Sequence, residues 1–340
     1  MRHSLVRRPR HPRSRAFRLA ALAAIASAML LAAGVRDASA AACSTTISSC
    51  GCTISSAAVF ITSGSLVSGS SSVDCIDITA SGAVLVLQGD ITGPGGGVTA
   101  DGIHIMSGAS NVFISGKATP GFSATHAKVT GFATGIQVDG SNAEINQLDS
   151  NGNTTNGLVF NGVTDGDYWA SDAKSNLGGD GVLVSGGSGN LIVDASHIDS
   201  NINGIEISSS ANNRILDTGA SLNTGYGIGF GQSSGNEING SGTDHNATGT
   251  YIGCFSSGGP TGKKCPSGMK PSQFNNMNNS GGNSNTAAGV AIDLGDSGNV
   301  IDESGGHANT GGDAVDKNKK CDHNVWMENN FTVKSQSCIQ

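Results

Sequence analysis

The chain has 340 residues, 19 Lys and Arg against 26 Asp and Glu, and a formal net charge of −7. An acidic chain of this kind is unsuited to nucleic acid and to anionic membranes, whose recognition rests on clustered cations. Glycine is abundant at 51 residues and aromatics make up 4 %, a composition that would suit disorder were it not for the regular aliphatic periodicity described below.

Residues 1–40 read as an export signal. Arg2, Arg7, Arg8, Arg10, Arg13, Arg15 and Arg18 form a basic leader, Leu19–Ala33 is an apolar run, and Ala38-Ser39-Ala40 is a small-residue cleavage site. The apolar run is too short for a typical membrane span. Arg7-Arg8 lacks the surroundings of a twin-arginine signal, so general secretion is expected, to the periplasm, the cell surface or the medium. The segment holds eight Arg (the eighth is Arg36) and one acid, Asp37, which leaves 11 basic and 25 acidic residues, net −14, in the mature chain. No transmembrane segment is expected there, and the expected state is a monomer.

All eight cysteines follow the cleavage site: Cys43, Cys50, Cys52, Cys75, Cys254, Cys265, Cys321 and Cys338. An even count in an exported chain reads as disulfides. Zinc is the alternative, but Cys50-Gly51-Cys52 lacks the usual CxxC spacing. Clustering favours Cys254–Cys265, Cys321–Cys338 and two bridges within Cys43–Cys75, with connectivity among those four left open.

Residues 41–97 form a disulfide-rich start. AAVFITSG, DCIDITASG and AVLVLQGDITG alternate as strands. Further strands follow at DGIHI from Asp101, TGIQV from Thr134 and NGLVF from Asn156. The long step from Gly102 to Gly135 predicts a loop around Lys117–His126.

From Asp180 to Ile252 the chain repeats. DGVLV, NGIEI, YGIGF and TGTYI place Gly181, Gly204, Gly227 and Gly249 at steps of 23, 23 and 22 residues. NLIV, NRIL and NEIN follow from Asn190, Asn213 and Asn236, and a further Asn recurs at Asn176, Asn201, Asn223 and Asn246. A fixed period of this size marks a repeat architecture. Strand alternation puts Val182, Ile205, Ile228 and Thr250 inside, with Val184, Ile207, Phe230 and Ile252 beside them and Ile192, Ile215 and Ile238 as the inner row of a second strand. Leu183, Glu206, Gly229 and Tyr251 are expected to face solvent. One repeat cannot fold alone: ordering each residue costs ~1.5 kcal/mol, while each buried aliphatic side chain returns about 1.5–3 kcal/mol. Stacked coils share one core.

This pattern resembles the repeat of right-handed parallel β-helix proteins with the pectin lyase-like fold, over roughly residues 75–331. The resemblance implies an all-β, right-handed, single-stranded parallel β-helix of about ten coils with 22–25-residue repeats. A leucine-rich repeat has a similar period but needs Leu at inner positions that here are Ile, Val and Phe.

After Ile252 the rhythm breaks. Gly249 to Gly289 is 40 residues, and the excess falls in 253–271, expected as a loop off the wall stapled by Cys254–Cys265. Such a bridge is worth roughly 3 kcal/mol on chain-entropy grounds. The period resumes at AGVAI, NVID and DAV. It ends in a cap at 321–340, where Trp326 takes an inner position.

The resemblance also implies where chemistry would lie: many enzymes of this fold cleave acidic polysaccharides in a groove along one sheet. The NTD, paired-Asp and GHG strings of polygalacturonase-like members are absent, and Arg214, the one Arg after residue 40, has no obvious Asp triad beside it. A polar row remains: Asp149, Asp172, Lys174, His197, Asp199, Asp244 and His245. Carboxylates two coils apart there would lie about 10 Å apart, near the separation of an inverting glycoside hydrolase. Asp149, Asp172, His197, Asp199 and Asp244 are therefore the candidate catalytic residues. Calcium is the cofactor such carboxylates could hold, and polysaccharide is the expected partner. The competing reading is a solvated wall on a non-catalytic surface, adhesin or matrix protein. One of Tyr168 and Trp169 should point inward and the other outward, where it could stack on a sugar. His104, Glu206 and Tyr251 share an outward column but stand apart, and are expected to form no site. The Asn rows are read as structural, on left-handed turns and in amide ladders.

Overall fold

The computed structural model describes residues 40–116, 126–195, 197–256 and 259–340. The expected export signal lies outside the described residues apart from its last residue, and so does the loop expected around Lys117–His126 apart from His126.

Two parallel sheets of twelve strands each run the length of the described chain, and the coil closes about eleven turns, one more than the repeat count suggested. The first wall runs from Ala41–Ala42 through Ile103–Ile105, Asp180–Ser185, Asn203–Ser208, Tyr226–Gly231 and Thr248–Gly253 to Ala314–Asp316. The second runs from Thr46–Ile47 through Asp167–Trp169 and Arg214–Leu216 to Val325–Met327. A third side holds a four-stranded sheet formed by Leu66–Val67, Ile91–Thr92, Ala127–Thr130 and Leu148–Ser150, and farther along single bridges such as Gly219 to Gly242. The architecture is the right-handed parallel β-helix expected from the repeat. Among the described residues the one helical element is a 3-10 turn at Lys319–Cys321.

The inner rows stack in register. Ile205 pairs with Ile228, then Thr250 and Val290. On the second wall Tyr168, Ile192, Ile215, Ile238, Met277, Ile301 and Trp326 follow one another, all buried. Trp326 packs edge-on against Phe331, with ring centroids 5.8 Å apart, and fills the last coil as expected. The disulfides are Cys43–Cys52, Cys50–Cys75, Cys254–Cys265 and Cys321–Cys338, so both ends of the coil and the insertion are stapled.

Two asparagine ladders line the corners. One contains Asn153, Asn176, Asn201, Asn223, Asn246, Asn285 and Asn309; the other Asn190, Asn213, Asn236, Asn275, Asn299 and Asn324. Along most of each ladder the Oδ1 accepts two donors from the preceding coil: Asn223 takes the backbone N–H of Asn201 at 2.9 Å and its Nδ2 at 3.2 Å. The expected left-handed turn is there, but one residue earlier. Ser175, Ser200, Leu222 and His245 carry φ of 55, 60, 60 and 57°, and the Asn that follows each stays buried to hold the turn. The glycine of G-I-x-I has its reason here too. A Cβ at Gly204 would lie 2.3 Å from the Gly227 carbonyl oxygen and 2.9 Å from Asn223 Nδ2. Glycine and asparagine recur together because the amide fills the space a Cβ would take.

Tyr251 departs from the expected outward, solvated position. It is 5 % exposed and lies in an aromatic stack with Tyr226 and Phe255, centroids 6.2 and 5.6 Å away, outside the main core. Phe255 belongs to the insertion, so the loop folds back over the first wall.

Candidate functional site

The outer face of the first wall carries a column in which Asp77, His104 and Gln137 sit on successive strands. His104 stands apart from Glu206 and Tyr251, as the sequence suggested, but has partners of its own. Its Nδ1 lies 3.3 Å from Asp74 Oδ2 and its Nε2 2.8 Å from Asp139 Oδ2. Asp139 Oδ1 also accepts from Gln137 Nε2 at 2.8 Å and Asn161 Nδ2 at 2.9 Å. Burial alone would lower the His104 pKa, but the hydrogen bonds and negative charge of Asp74 and Asp139 override it and hold the imidazole at about 9. Burial, aided by the charge of Asp74, pushes Asp77 and Asp101 up to about 6.

Asp74, Asp77 and His104 offer one ligand atom each, all within 4.8 Å of one another. Asp77 Oδ1 is buried with no hydrogen-bond partner among the described residues. Asp139 engages Nε2, which orients the ring and leaves Nδ1 toward the two carboxylates. One imidazole and two carboxylates suit a divalent ion, which would have to displace the Nδ1 proton of His104 to bind there. Calcium was expected at the third-side carboxylates; among the described residues the group of three His, Cys, Asp or Glu side chains whose donors converge is this one, on the first wall.

Farther along the same face lies a groove of about 710 Å³, bordered by Glu206, Ser208, Gln232, Phe255, Met269 and Lys270. The insertion supplies one bank, and Cys254–Cys265 closes its base. Tyr251 ties the loop down: its hydroxyl donates to Asp293 Oδ2 and accepts from the Gly262 N–H at 3.2 Å. Lys317 Nζ joins Asp293 Oδ1 at 2.7 Å and the Gly262 carbonyl at 2.9 Å.

On the opposite bank Glu206 accepts a hydrogen bond from the Tyr226 hydroxyl. Burial pushes Glu206 above the usual carboxylate range, and the Tyr226 bond reverses only part of that. Asp180, one coil below, is driven up to about 7 by burial and by the charge of Glu206, although Asn203 Nδ2 donates to it at 2.8 Å. Burial and both carboxylates raise the Tyr226 pKa in turn, so it stays a neutral donor. Two carboxyl groups that both resist ionisation are able to retain a proton near neutral pH.

The polar row expected to be catalytic lies on the third side and divides into two columns. In one, Asp149 Oδ1 accepts the Asp172 N–H at 3.1 Å and Asp172 Oδ1 the His197 N–H at 3.1 Å. His126 Nδ1 sits 2.8 Å from Asp149, while Lys174 and His197 ion-pair with Asp172 at 3.1 and 3.4 Å. In the other, Asp199 accepts the Ser221 N–H at 3.0 Å and Asp244 the Asn283 N–H at 2.7 Å. Asp199 and Asp244 stand two coils apart with Ser221 between them, the spacing expected. Each of the four carboxylates accepts a backbone N–H from the next coil. His245 contributes a left-handed turn, φ 57°.

The sequence missed Asp74, Asp77, Asp139, Asp180 and Tyr226. Asp180 and Tyr226 begin strands of the repeat, at equivalent positions two coils apart, and that column was the available signal. Tyr168 is buried and Trp169 exposed, as the alternation required.

No family model matches the chain, and no curated protein matches it. Solved structures do. The Dettilon tailspike protein superposes with a TM-score of 0.54 at 14 % identity, over 81 % of this chain and 60 % of the tailspike. The chain thus spans under two thirds of the tailspike's length. The A-module of a mannuronan C-5 epimerase from Azotobacter vinelandii superposes with a TM-score of 0.51 at 11 % identity, over 78 % of this chain and 85 % of the module. At such identities the likeness carries the fold alone. The chain shares the right-handed parallel β-helix of these proteins.

Proposed function

We propose that the protein is an exported polysaccharide-active enzyme that lays its substrate along the outer face of the first wall, with Glu206 as proton donor. The observation that carries this is Glu206, raised by burial and bonded by the Tyr226 hydroxyl, on the bank of a groove large enough for sugar rings. A protonated carboxyl there can give its proton to a glycosidic oxygen. Asp180 does not line the groove; burial is what raises Glu206, and the Tyr226 hydroxyl reverses only part of that. The A-module neighbour is named for a polysaccharide, mannuronan, which agrees with a glycan partner. Four disulfides agree with an oxidising compartment and with the leader at 1–40.

A panel of polysaccharides, with and without calcium, read for reducing ends and unsaturated products, tests the reading. Cleavage should fall by at least about a hundredfold in Glu206→Gln and survive Asp199→Ala and Asp244→Ala. Cleavage that survives Glu206→Gln but is lost in those two variants would transfer the chemistry to the third side. Binding without cleavage by the wild type would leave a non-catalytic surface protein.

A further inference from the structure

The second wall has its own unsatisfied surface. Its outward column runs Glu144, Asp167, Leu191, Arg214, one on each successive strand. Trp169 is on the same strand and face as Asp167 and is 43 % exposed. Its indole N–H donates to Asp194 Oδ2 at 3.1 Å, which anchors one edge of the ring. Two depressions, of about 220 and 420 Å³, share Glu144, Asp167 and Leu191 and so form one trough, with the indole and Val193 at one end.

The charge of this trough is one-sided. Glu144, Asp165 and Asp167 have neither an ion pair nor a side-chain hydrogen bond among the described residues. Arg214 borders the trough, but its Nε is 2.9 Å from Glu237 Oε2, so its charge is already matched. Adjacent coils set Glu144 and Asp167 about 5 Å apart, and like charges directly opposite one another are destabilising. A ligand that relieves this must bring positive charge. The indole adds a second demand, a flat C–H or cationic face to stack on it. The repeating wall adds a third, an extended chain that lies along it.

We propose that this trough binds a glycan bearing protonated amino sugars, with one ring stacked on Trp169 and an ammonium group held by Glu144, Asp165 and Asp167. The site is on the other wall from Glu206 and is read by binding alone, so it stands or falls separately from the enzymatic reading.

The test uses the intact mature protein at mildly acidic pH, with a β-linked glucosamine hexasaccharide, its fully N-acetylated counterpart and hexalysine as probes. Trp326 is 3 % exposed at the capped end, so a ligand-induced change in indole emission reports on Trp169. The glucosamine hexamer should shift that emission and bind at least about tenfold more tightly than the acetylated one. Trp169→Ala should remove most of that affinity, Trp169→Phe should restore part of it, and Glu144→Gln and Asp167→Asn should each weaken it severalfold. Equal binding of the acetylated hexamer would overturn the proposal, as would undiminished affinity in Trp169→Ala. Hexalysine binding as tightly as the glucosamine hexamer, and equally to Trp169→Ala, would reduce the trough to an unspecific acidic surface and overturn it as well.

Discussion

Asn223→Ala is the sharpest probe of what holds the coils together. Five hydrogen bonds converge on Asn223, which is 2 % exposed. Its Oδ1 accepts from the Asn201 N–H and Nδ2, its Nδ2 donates to the Ile198 carbonyl at 3.0 Å and to Asn246 Oδ1 at 3.1 Å, and its own N–H donates to Asn246 Oδ1 at 2.9 Å. Alanine keeps only the last. Asn201 Nδ2 retains the Ala173 carbonyl at 2.9 Å. The Asn201 N–H and the Ile198 carbonyl are left buried without these partners, at about 1–3 kcal/mol each. The expected loss is therefore about 3 kcal/mol, read from the guanidinium midpoint. The matched control is Asn276→Ala, on the exposed face of the second wall, which should stay within about 0.5 kcal/mol. Amide hydrogen exchange adds a residue-specific reading, since the Asn201 N–H should lose protection ahead of its neighbours. A loss below about 1 kcal/mol, or an Asn201 amide as protected as before, would refute the ladder as a source of stability.

Gly204→Ala should cost about 1–3 kcal/mol by overpacking, since the new Cβ would press on the Gly227 carbonyl and on Asn223 Nδ2; denaturant midpoints check this, and a neutral result would dissolve the link between the two motifs. His104, held at about 9 in the folded chain against an ordinary 6.5, gives stability that is complete below about pH 6.5 and lost as pH rises towards 9. The raised carboxyls of Asp77, Asp101 and Asp180 lose their contributions lower, as pH rises through about 6 to 7, so the decline from pH 7 to 9 belongs to His104. Imidazole chemical shifts should titrate near 9, and His104→Gln should flatten that decline.

The repeat made the fold legible because each of its letters has one physical job. Ile205 and Ile228 are apolar because they stack in a closed core. Gly204 is bare because Asn223 approaches it. The asparagines are buried because the backbone corners need amide partners. Those constraints act within a coil and between neighbours, so they recur at a fixed interval. What the period did not reveal is which residue takes the left-handed conformation. Ser175, Ser200, Leu222 and His245 range over three side-chain types, because their side chains are not what the turn demands; the asparagine behind each one stabilises it.

The same logic explains why the sequence drew attention to the third side and passed over the first wall. The row from Asp149 to Asp244 was conspicuous because it recurs, and it recurs because its carboxylates accept backbone N–H groups from the next coil. Periodicity in a solenoid reports on structure, since every coil must solve the same packing problem. Chemistry needs unlike groups brought together once. His104 gains its character from Asp74 in the preceding turn and Asp139 in the next coil, and Glu206 from burial and from Tyr226 one coil above. In each case the partners come from different columns, and no spacing in the chain announces them. The residues that break the outward column's pattern, His104 and Glu206 among its Gln, Val, Leu and Gly neighbours, are therefore better site indicators than those that keep a rhythm. Trp169 obeys the same rule: it is the one aromatic in an outward column of Asn146, Val193, Leu216 and Asn239, and it sits beside carboxylates that nothing among the described residues satisfies.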